Sequence, residues 1–449
     1  MLDTGIAAKY TGARFRGGES VRSPLQLWVT KGERVKKNRK LFTGAALVAV
    51  LATLGVVQGM LDKAAAQAKQ VPRFEVDPFW PKPMPKNWVF GQTIGLGIAP
   101  DDHVLIIHRG NDPGNLDRTE ISVLKEGAPP VSECCNPAPP VVEFDAAGNT
   151  VRGWGGQIAG APFTWPESNH GIVVDQKGFV WIGGNGGPDS HILKFTREGK
   201  FVAQYGKPGA RIDPNGKPGA NGQPPARANS KDMESFGRVA KIWIDPKANE
   251  GYLADGYLNH RVAVINLDDG KIKRMWGAYG DPPTDENLGP YDPAAPLPRQ
   301  FRNPMHCAVL SNDGLVYTCD RPNDRVQVFT KEGKFVQEYR IEPQTRSDGS
   351  VWDIAFSTDP DQRFLYMADG ANEHVRIYDR KTMTELYSFG YGGRQPGMFL
   401  GVHSIAVDSK GNIYTTETYT GKRLQKFVYK GMGAVPKTSK VPAWPGSGN

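Results

Sequence analysis

The repeated stretches "HILKFTREGKFVAQYG" (191–206) and "RVQVFTKEGKFVQEYR" (325–340) decide the fold. Each alternates apolar and polar residues on both sides of a charged Glu-Gly-Lys turn, which is the pattern of a β-hairpin. Weaker copies of the same hairpin lie at 141–156, 261–277, 375–390 and 423–431, and the last keeps only the first half. Self-similarity of this kind predicts an array of structural repeats.

A second type of hairpin precedes each copy of the first. Examples are "GIVVDQKGFVWIG" (171–183), "CAVLSNDGLVYTC" (307–319) and "SIAVDSKGNIYTT" (404–416). Two hairpins form a four-stranded antiparallel unit that cannot bury both of its own faces, so neighbouring units must stack and close into a ring. The sequence therefore predicts an all-β protein, a six-bladed β-propeller within 90–431. Its blades are predicted near 90–156, 166–206, 237–280, 302–340, 350–390 and 401–431.

The sixth blade lacks an outer strand in its own stretch of sequence. The segment "RFEVDPFW" (73–80) is a candidate donor from the other end of the chain, and it would lock the ring shut. The Pro-rich "FWPKPMPKNW" (79–88) reads as an extended tether. We therefore expect a tether with a ring-closing strand at 69–89 and a C-terminal tail at 432–449.

The N-terminus predicts export. A basic leader (1–40) ends in "RVKKNRK", and the uncharged apolar run 41–60 that follows is about as long as a membrane-spanning helix. Ala66 and Ala68 frame an Ala-x-Ala cleavage pattern, so 41–68 is either a cleaved signal peptide or a retained signal anchor. The alternative is an amphipathic or core helix. We expect a periplasmic or other extracytoplasmic protein that contacts the membrane through 41–60 if this segment is not cleaved.

The net charge of +8 does not indicate nucleic-acid binding. Residues 1–69 carry twelve Lys and Arg against four Asp and Glu, whereas residues 70–449 carry 43 of each. The body of the protein has no basic excess for a phosphate backbone. A small-molecule or peptide-like substrate is the expected partner, and the oligomeric state stays open.

Three of the eight histidines share one position in the repeat. His170, His306 and His403 head the innermost strands of the second, fourth and sixth blades, and the same column holds Ala240 and Trp352 in the third and fifth. Alternate blades of a six-bladed ring are about 120° apart, so the three imidazoles converge on the central axis. A single histidine there is more simply a polar residue lining the channel. Three of them match a catalytic zinc site with an open position.

Three more candidates follow the second strand of a blade. Tyr257 lies in "ADGYLNHRV", Arg321 in "CDRPNDRV" and Arg109 in "IIHRGNDPGN". This loop lies on the same face of a blade as the start of its innermost strand. The Asp and Asn residues of these loops recur in "ADGANEHV" and are therefore interpreted as structural. For Arg109 the alternative is an ordinary surface arginine.

The motifs "HRG" (108–110), "HGIVVD" (170–175), "DGYLNHR" (255–261), "DRPNDRVQVF" (320–329) and "VHSIAVD" (402–408) together resemble the lyase domain of peptidylglycine α-amidating enzymes. That family has a six-bladed NHL-repeat propeller, and the resemblance extends over nearly the whole chain after residue 85. It implies that His170, His306 and His403 bind zinc. It also implies that Tyr257 is the base toward the α-hydroxyl of the substrate, and that Arg321 and Arg109 bind or polarise the substrate. The implied reaction splits an N-acyl-α-hydroxyglycine into an amide and glyoxylate.

The chain departs from the family at several positions. Ser404 replaces an aspartate that helps to hold calcium, which weakens the expectation of calcium, and Gly401 replaces a methionine of the pocket. The cysteines of the family are also missing. Instead, Cys307 and Cys319 lie opposite each other across a predicted turn, as a disulfide or as two buried thiols. A bridge between the adjacent Cys134 and Cys135 is disfavoured.

Two other functions stay open. The first is a non-enzymatic propeller that binds a partner on its loop face, although such a scaffold does not need three histidines on alternate blades. The second is another metal-dependent lyase or hydrolase, such as a lactonase, on the same scaffold. The metal could also be copper, iron or nickel, since imidazole suits all of these.

Overall fold

A computed structural model describes residues 52–53, 55–60, 70–110, 115–123, 128–217 and 225–436. The chain divides into two units, Met1–Lys69 and Gln70–Asn449. The predicted leader (1–40) and most of the predicted apolar segment (41–68) lie outside the described residues, and residues 52, 53 and 55–60 are helical. Among the residues described, no helix combines the length and the apolar character that crossing a membrane requires.

Six four-stranded antiparallel sheets make up the body of the described chain, which confirms the predicted six-bladed propeller. In five blades the strands run in chain order from the innermost to the outermost. The strands of these blades are Thr93–Ile98, Val104–His108, Val141–Phe144 and Thr150–Trp154; Asn169–Val174, Val180–Gly184, His191–Phe195 and Phe201–Gly206; Val239–Asp245, Glu250–Asp255, Arg261–Asn266 and Ile272–Trp276; Met305–Leu310, Leu315–Asp320, Arg325–Thr330 and Phe335–Arg340; and Asp353–Phe356, Phe364–Asp369, His374–Asp379 and Thr384–Phe389.

The sixth blade combines both ends of the described ring. Its strands are Val402–Val407, Ile413–Glu417, Leu424–Ala434 and, outermost, Gln70–Asp77. The last two strands pair antiparallel, with Val71 opposite Gly433 and Asp77 opposite Lys426. The outer strand thus begins and ends three residues before the segment 73–80 that the sequence suggested, and its partner strand continues past residue 431 into the expected tail.

The Pro-rich stretch after this strand packs against the ring instead of forming a free tether. Trp80 is buried, with its ring centroid 4.9 Å from that of Tyr414 and 5.9 Å from that of Phe144. Farther along, Trp88–Val89 pairs in parallel with Asn136–Pro137. Trp80 explains this difference, because its indole is buried against the first and last blades. The short 3₁₀ helices are Pro85–Asn87, Ala278–Gly280 and Arg321–Asn323.

A repeated buried ion pair shapes the loop after the second strand. In the third blade, Asp255 at the end of that strand accepts hydrogen bonds from the Asn259 amide and the Arg261 guanidinium. The fourth blade repeats the arrangement with Asp320, and the fifth with Asp369. Asp255 and Arg261 are both fully buried, so removing one of them would leave an unpaired charge in the core. The structural interpretation of these Asp and Asn residues is confirmed.

Two cysteine pairs are bonded. Cys307 and Cys319 are paired in register on neighbouring strands and form a disulfide with their Cα atoms 4.7 Å apart. Cys134 and Cys135 are also bonded to each other, with a cis peptide between them and their Cα atoms 3.1 Å apart. The expectation against a bridge between these adjacent residues was therefore wrong, because it assumed the wider Cα spacing of a trans peptide, about 3.8 Å.

Candidate metal centre

The three histidines of the repeat column meet on the axis of the propeller. His170, His306 and His403 are buried, with exposed fractions of 2%, 3% and 3%. Their ring centroids are 4.8–5.1 Å apart, and one nitrogen from each ring lies within 4.8 Å of the other two. They come from alternate blades, so the convergence predicted from the spacing is present.

The blades between them orient the imidazoles. Nδ1 of His170 lies 2.7 Å from the carbonyl oxygen of Ala240, and Nδ1 of His306 lies 2.5 Å from that of Trp352. Nδ1 of His403 lies 2.8 Å from the carbonyl oxygen of Ile94. A carbonyl only accepts, so each Nδ1 carries the proton and each Nε2 keeps a free lone pair.

Burial keeps the imidazoles neutral. It is the largest of the causes that lower the pKa of all three histidines well below the ordinary value, and the nearby positive charge of Arg321 adds to it. Neutral imidazole is the form that binds a metal ion. Three such nitrogens, each with its other ring nitrogen held by an outer partner, fit a divalent transition metal.

Tyr257 closes the group on the side of the loops. It follows the strand Glu250–Asp255, and its hydroxyl lies 2.9 Å from Nε2 of His170 and 3.1 Å from Nε2 of His306. The phenol has one proton, so it donates to one of these nitrogens at a time. The predicted base therefore touches two of the three predicted metal ligands.

Arg321 lies above the same group. Its Nη1 donates to the Tyr257 hydroxyl at 3.4 Å, and its guanidinium lies 4.5 Å from the centroid of the Trp352 ring. The side chain is buried, Nε has no hydrogen-bond partner, and the Asp348 carboxylate is 3.7 Å away. Stacking on the indole holds the planar guanidinium in one orientation.

Arg109 reaches the site from the first blade. Its Nε donates to the carbonyl oxygen of Asn169 at 3.0 Å, and its Nη2 donates to the side chain of Asn185 at 2.7 Å. Nη1 donates to the side chain of Gln92 at 3.2 Å. Asn169 precedes His170, and the charge of Arg109 lowers the pKa of His170. All six predicted site residues therefore lie around one point, while their chemical roles stay predictions.

One layer farther along the axis, the channel carries a buried ion pair. Nζ of Lys241 lies 2.5 Å from both carboxylate oxygens of Asp353, which also accept the backbone N–H groups of Ile354 and Ile405. Ser404, at the position where calcium was in question, donates its hydroxyl to the carbonyl oxygen of Ile94 at 2.8 Å. The residue after the third histidine thus serves the packing between blades.

Comparisons with known proteins find only distant similarity. No protein-family model matches the chain. Over 270 residues it is 26% identical to peptidyl-glycine alpha-amidating monooxygenase B and 24% identical to monooxygenase A, both of Xenopus laevis. The matched part is 59% of this chain, and the chain spans about a quarter of the length of these relatives, 26% and 24%. A solved streptogramin B lyase is 13% identical with a TM-score of 0.44, covering 80% of this chain and 98% of its own. The chain is thus distantly similar in sequence to amidating enzymes, and the solved structure bears on the fold alone.

Sequence patterns did not identify several residues of the site. His108 is buried, accepts the N–H groups of Gly91 and Gly110 at Nδ1, and donates from Nε2 to the carbonyl oxygen of Pro139. Burial lowers its pKa to about 4, so it stays neutral and fixes the turn that carries Arg109. Asn185 could have been found, because it follows the second strand of its blade as Arg109 and Arg321 do. Trp352 stood in the histidine column, but only the fold reveals its contact with Arg321.

Proposed function

We propose that this protein is a metal-dependent lyase that cleaves the C–N bond of an N-acyl-α-hydroxyglycine or a similar carbinolamide, releasing an amide and glyoxylate. The observation that carries the proposal is the convergence of three neutral imidazoles, two of which present Nε2 to the Tyr257 hydroxyl, with Arg321 next to that hydroxyl. The distant similarity to amidating enzymes supports the same reaction class.

His170, His306 and His403 would hold the metal through Nε2, with Nδ1 of each anchored by a backbone carbonyl. We expect zinc, although the same donor set suits copper, iron or nickel. When bound, a divalent metal supplies Lewis acidity that makes a hydroxyl group easier to deprotonate.

The protein residues would manage the proton and the charge. Arg109 and Arg321 would bind the substrate carboxylate, because the planar guanidinium matches its two oxygens. Tyr257, as the phenolate, would take the proton of the α-hydroxyl and become the phenol, and Arg321 lies beside the same oxygen. As the hydroxyl becomes the aldehyde of glyoxylate, the C–N bond breaks and the amide nitrogen takes up a proton. Buried walls around the site would limit the access of water.

Metal analysis combined with a glyoxylate assay tests the proposal. The purified wild-type protein should contain one metal ion per chain and release glyoxylate from α-hydroxyhippurate, whereas His306→Ala should lose both. His103→Ala, in which a histidine outside the column is removed, serves as the control. A wild-type protein without stoichiometric metal would refute the metal centre, and bound metal without glyoxylate release would refute the substrate.

We also propose that the protein works outside the cytoplasm. Two bonded cysteine pairs support an oxidising compartment, and the apolar run 41–60 after a basic leader supports export. Separating cell fractions and probing each for the protein would test this proposal. Recovery of the protein with reduced cysteines in the cytoplasm would contradict it.

A further inference from the structure

A third arginine lies at the rim of the candidate site. Arg238 precedes the strand Val239–Asp245, two residues before Ala240, whose carbonyl orients His170. The carbonyl oxygen of Arg238 accepts the backbone N–H of Tyr257 at 3.2 Å. The backbone of Arg238 is therefore joined directly to the loop that carries the predicted base.

The guanidinium of Arg238 is poorly satisfied by the protein. Nη2 makes one long hydrogen bond, 3.4 Å, to the carbonyl oxygen of Gly187. Nε is buried without a partner, and within the described ranges Nη1 reaches no acceptor and no carboxylate lies within ion-pair distance. An arginine can donate from all three nitrogens, so the donors that remain for a ligand are those of Nη1 and the second N–H of Nη2, whereas Nε is buried.

The nearest carboxylates do not neutralise this charge. Asp189 accepts the backbone N–H groups of Glu167, Ser168 and Gly186, and Glu167 accepts that of Gly187. These bonds turn both carboxylates toward the loop backbone. Burial lowers the pKa of the Arg238 guanidinium, and the two carboxylates do not offset this fully.

The backbone of Arg238 is unusual as well. Its φ is 67°, in the left-handed region that residues other than glycine, asparagine and aspartate rarely adopt. Such a conformation is energetically unfavourable and is often retained at binding sites. Glycine would relieve the cost but would bring no charge.

The two arginines already assigned act on the histidine group itself. Arg109 and Arg321 are the arginines whose charges lower the pKa of His170. Arg109 and Arg238 contact the same loop, at Asn185 and Gly187 respectively. A ligand whose carboxylate lies between Arg109 and Arg321 would therefore have to reach Arg238 with its other end.

We propose that Arg238 is a specificity-determining residue that binds a second anionic group, so that the preferred substrate is an N-acyl-α-hydroxyglycine whose acyl chain itself ends in a carboxylate. This inference rests on the proposed lyase function for the identity of the reacting end. The second carboxylate would fill the unused donors of Arg238, and a neutral acyl chain of the same length would leave them unpaired.

The test compares N-succinyl- and N-glutaryl-α-hydroxyglycine with N-butanoyl-α-hydroxyglycine, which has the length of the succinyl compound but no second carboxylate. We expect kcat/KM for the better of the two acidic substrates to exceed that for the butanoyl compound about 10- to 100-fold, the range of a charged hydrogen-bonded contact. Arg238→Gln should abolish this preference, so that kcat/KM becomes similar for the acidic and the butanoyl compounds. Arg238→Lys should keep part of it. Arg363→Gln, which removes an equal charge from a turn of the fifth blade, should leave it intact.

Binding of the unreactive analogues N-succinylglycine and N-butanoylglycine, measured by calorimetry on the metal-loaded protein, separates this inference from the lyase proposal. If no substrate releases glyoxylate but the succinyl analogue binds more tightly and depends on Arg238, the lyase assignment fails and the anion site stands. If acidic and neutral compounds bind and react equally, or if Arg238→Gln weakens both alike, the inference is refuted. The melting temperature and metal content of each variant identify any loss that is due to misfolding.

Discussion

Tyr257 has one phenolic proton and two imidazole nitrogens within reach of it. The distances of 2.9 and 3.1 Å make the hydroxyl a shared donor to His170 and His306, and Arg321 approaches the same oxygen from the other side. The side chain is thus positioned by three contacts, while the ring itself is only partly buried. To act as a base toward a ligand at the mouth of the site, this side chain must be the phenolate, which takes up one proton and becomes the phenol.

The first prediction concerns the hydroxyl of Tyr257. Tyr257→Phe should lower kcat for glyoxylate release about 10²- to 10⁴-fold, the usual contribution of a general base, and should leave the metal content unchanged because the three imidazoles remain. The measurements are steady-state kinetics and metal analysis on the same samples. Tyr391→Phe, at an exposed tyrosine between blades, is the matched control. Full activity in Tyr257→Phe would exclude the residue as the base.

At the scale of single residues, sequence could predict the histidines but not their protonation. His170, His306 and His403 recur at one offset in a repeat, so topology alone brings them together. The tautomer of each depends on the carbonyls of Ala240 and Ile94 and on that of Trp352, and a backbone carbonyl leaves no signature in sequence. The unused donors of Arg238 could not be predicted from sequence either, because they depend on which acceptors the fold places out of reach.

At the scale of elements, the short helix Arg321–Asn323 connects the predicted catalytic residue Arg321 to Asp324, a titratable residue that caps the end of the helix. Asp324 follows this helix with φ 49°, is fully buried, and accepts the backbone N–H of Ser350 at 2.8 Å. Its other carboxylate oxygen has no partner. Burial, with a smaller effect of Asp369, raises the pKa of Asp324 from 3.8 to about 7.

The second prediction is the pH dependence that follows. Between pH 3.8 and about 7 the folded state binds the Asp324 proton more tightly than the unfolded state, so this group lowers the free energy of unfolding as pH rises through that window. Asparagine also suits a left-handed conformation, so Asp324→Asn should keep the fold and remove this decrease in the free energy of unfolding. The difference in free energy of unfolding between the variant and wild type should grow from pH 4 to pH 7 in favour of the variant, by at most about 4 kcal/mol. Above pH 7 the difference should stay constant.

Urea unfolding at a series of pH values measures this difference. Asp361→Asn, at an exposed carboxylate in the fifth blade, should show no comparable trend. A stability difference between Asp324→Asn and wild type that is the same at pH 4 and pH 7 would contradict the assignment.

The third prediction contrasts the two disulfides. Cys307 and Cys319 are 12 residues apart in sequence, so their bond restricts the unfolded chain and should contribute about 3 kcal/mol in the chain-entropy model. Cys134 and Cys135 are adjacent and enclose no loop. Cys307→Ala with Cys319→Ala should therefore lower the melting temperature clearly, whereas Cys134→Ser with Cys135→Ser should change it little. Equal shifts in the two double variants would refute this account.

Elements were predictable to different degrees. Strands that form apolar runs on both sides of a Gly turn, such as Met305–Leu310 and Leu315–Asp320, were found because their pattern repeats. The pairing of Trp88–Val89 with Asn136–Pro137 was not, since two residues carry no periodicity. The packing of Trp80 was also missed, because prolines around an aromatic residue are equally compatible with an extended tether.

At the scale of the whole molecule, ring closure depends on a strand from the start of the described body. Gln70–Asp77 brings Val71, Phe74 and Val76 into the apolar cluster between the fifth and sixth blades. The ring of Phe74 lies 5.5 Å from that of Tyr366 and 6.0 Å from that of Phe389. The strand thus also covers the edge of Leu424–Ala434, which would otherwise be open to pairing with other chains.

The fourth prediction tests this closure. Phe74→Ala should lower the free energy of unfolding by about 3–5 kcal/mol, as is typical when a buried phenylalanine is truncated. Phe79→Ala, five residues later at a side chain that is 85% exposed, should have almost no effect. Chemical denaturation of both variants provides the comparison. Equal stability of the two would show that the outer strand does not close the ring in solution.

The alternation of histidines and carbonyls around the axis also determines when the site can form during synthesis of the chain. His403 is anchored by Ile94, 309 residues earlier in the chain. A polypeptide still emerging from the ribosome has His170 and His306 well before His403, and it cannot hold the third imidazole in place until the sixth blade has met the first. The complete set of predicted ligands is therefore delayed until the sixth blade has been made, and a nascent chain that stops short of this blade holds only two of the three histidines.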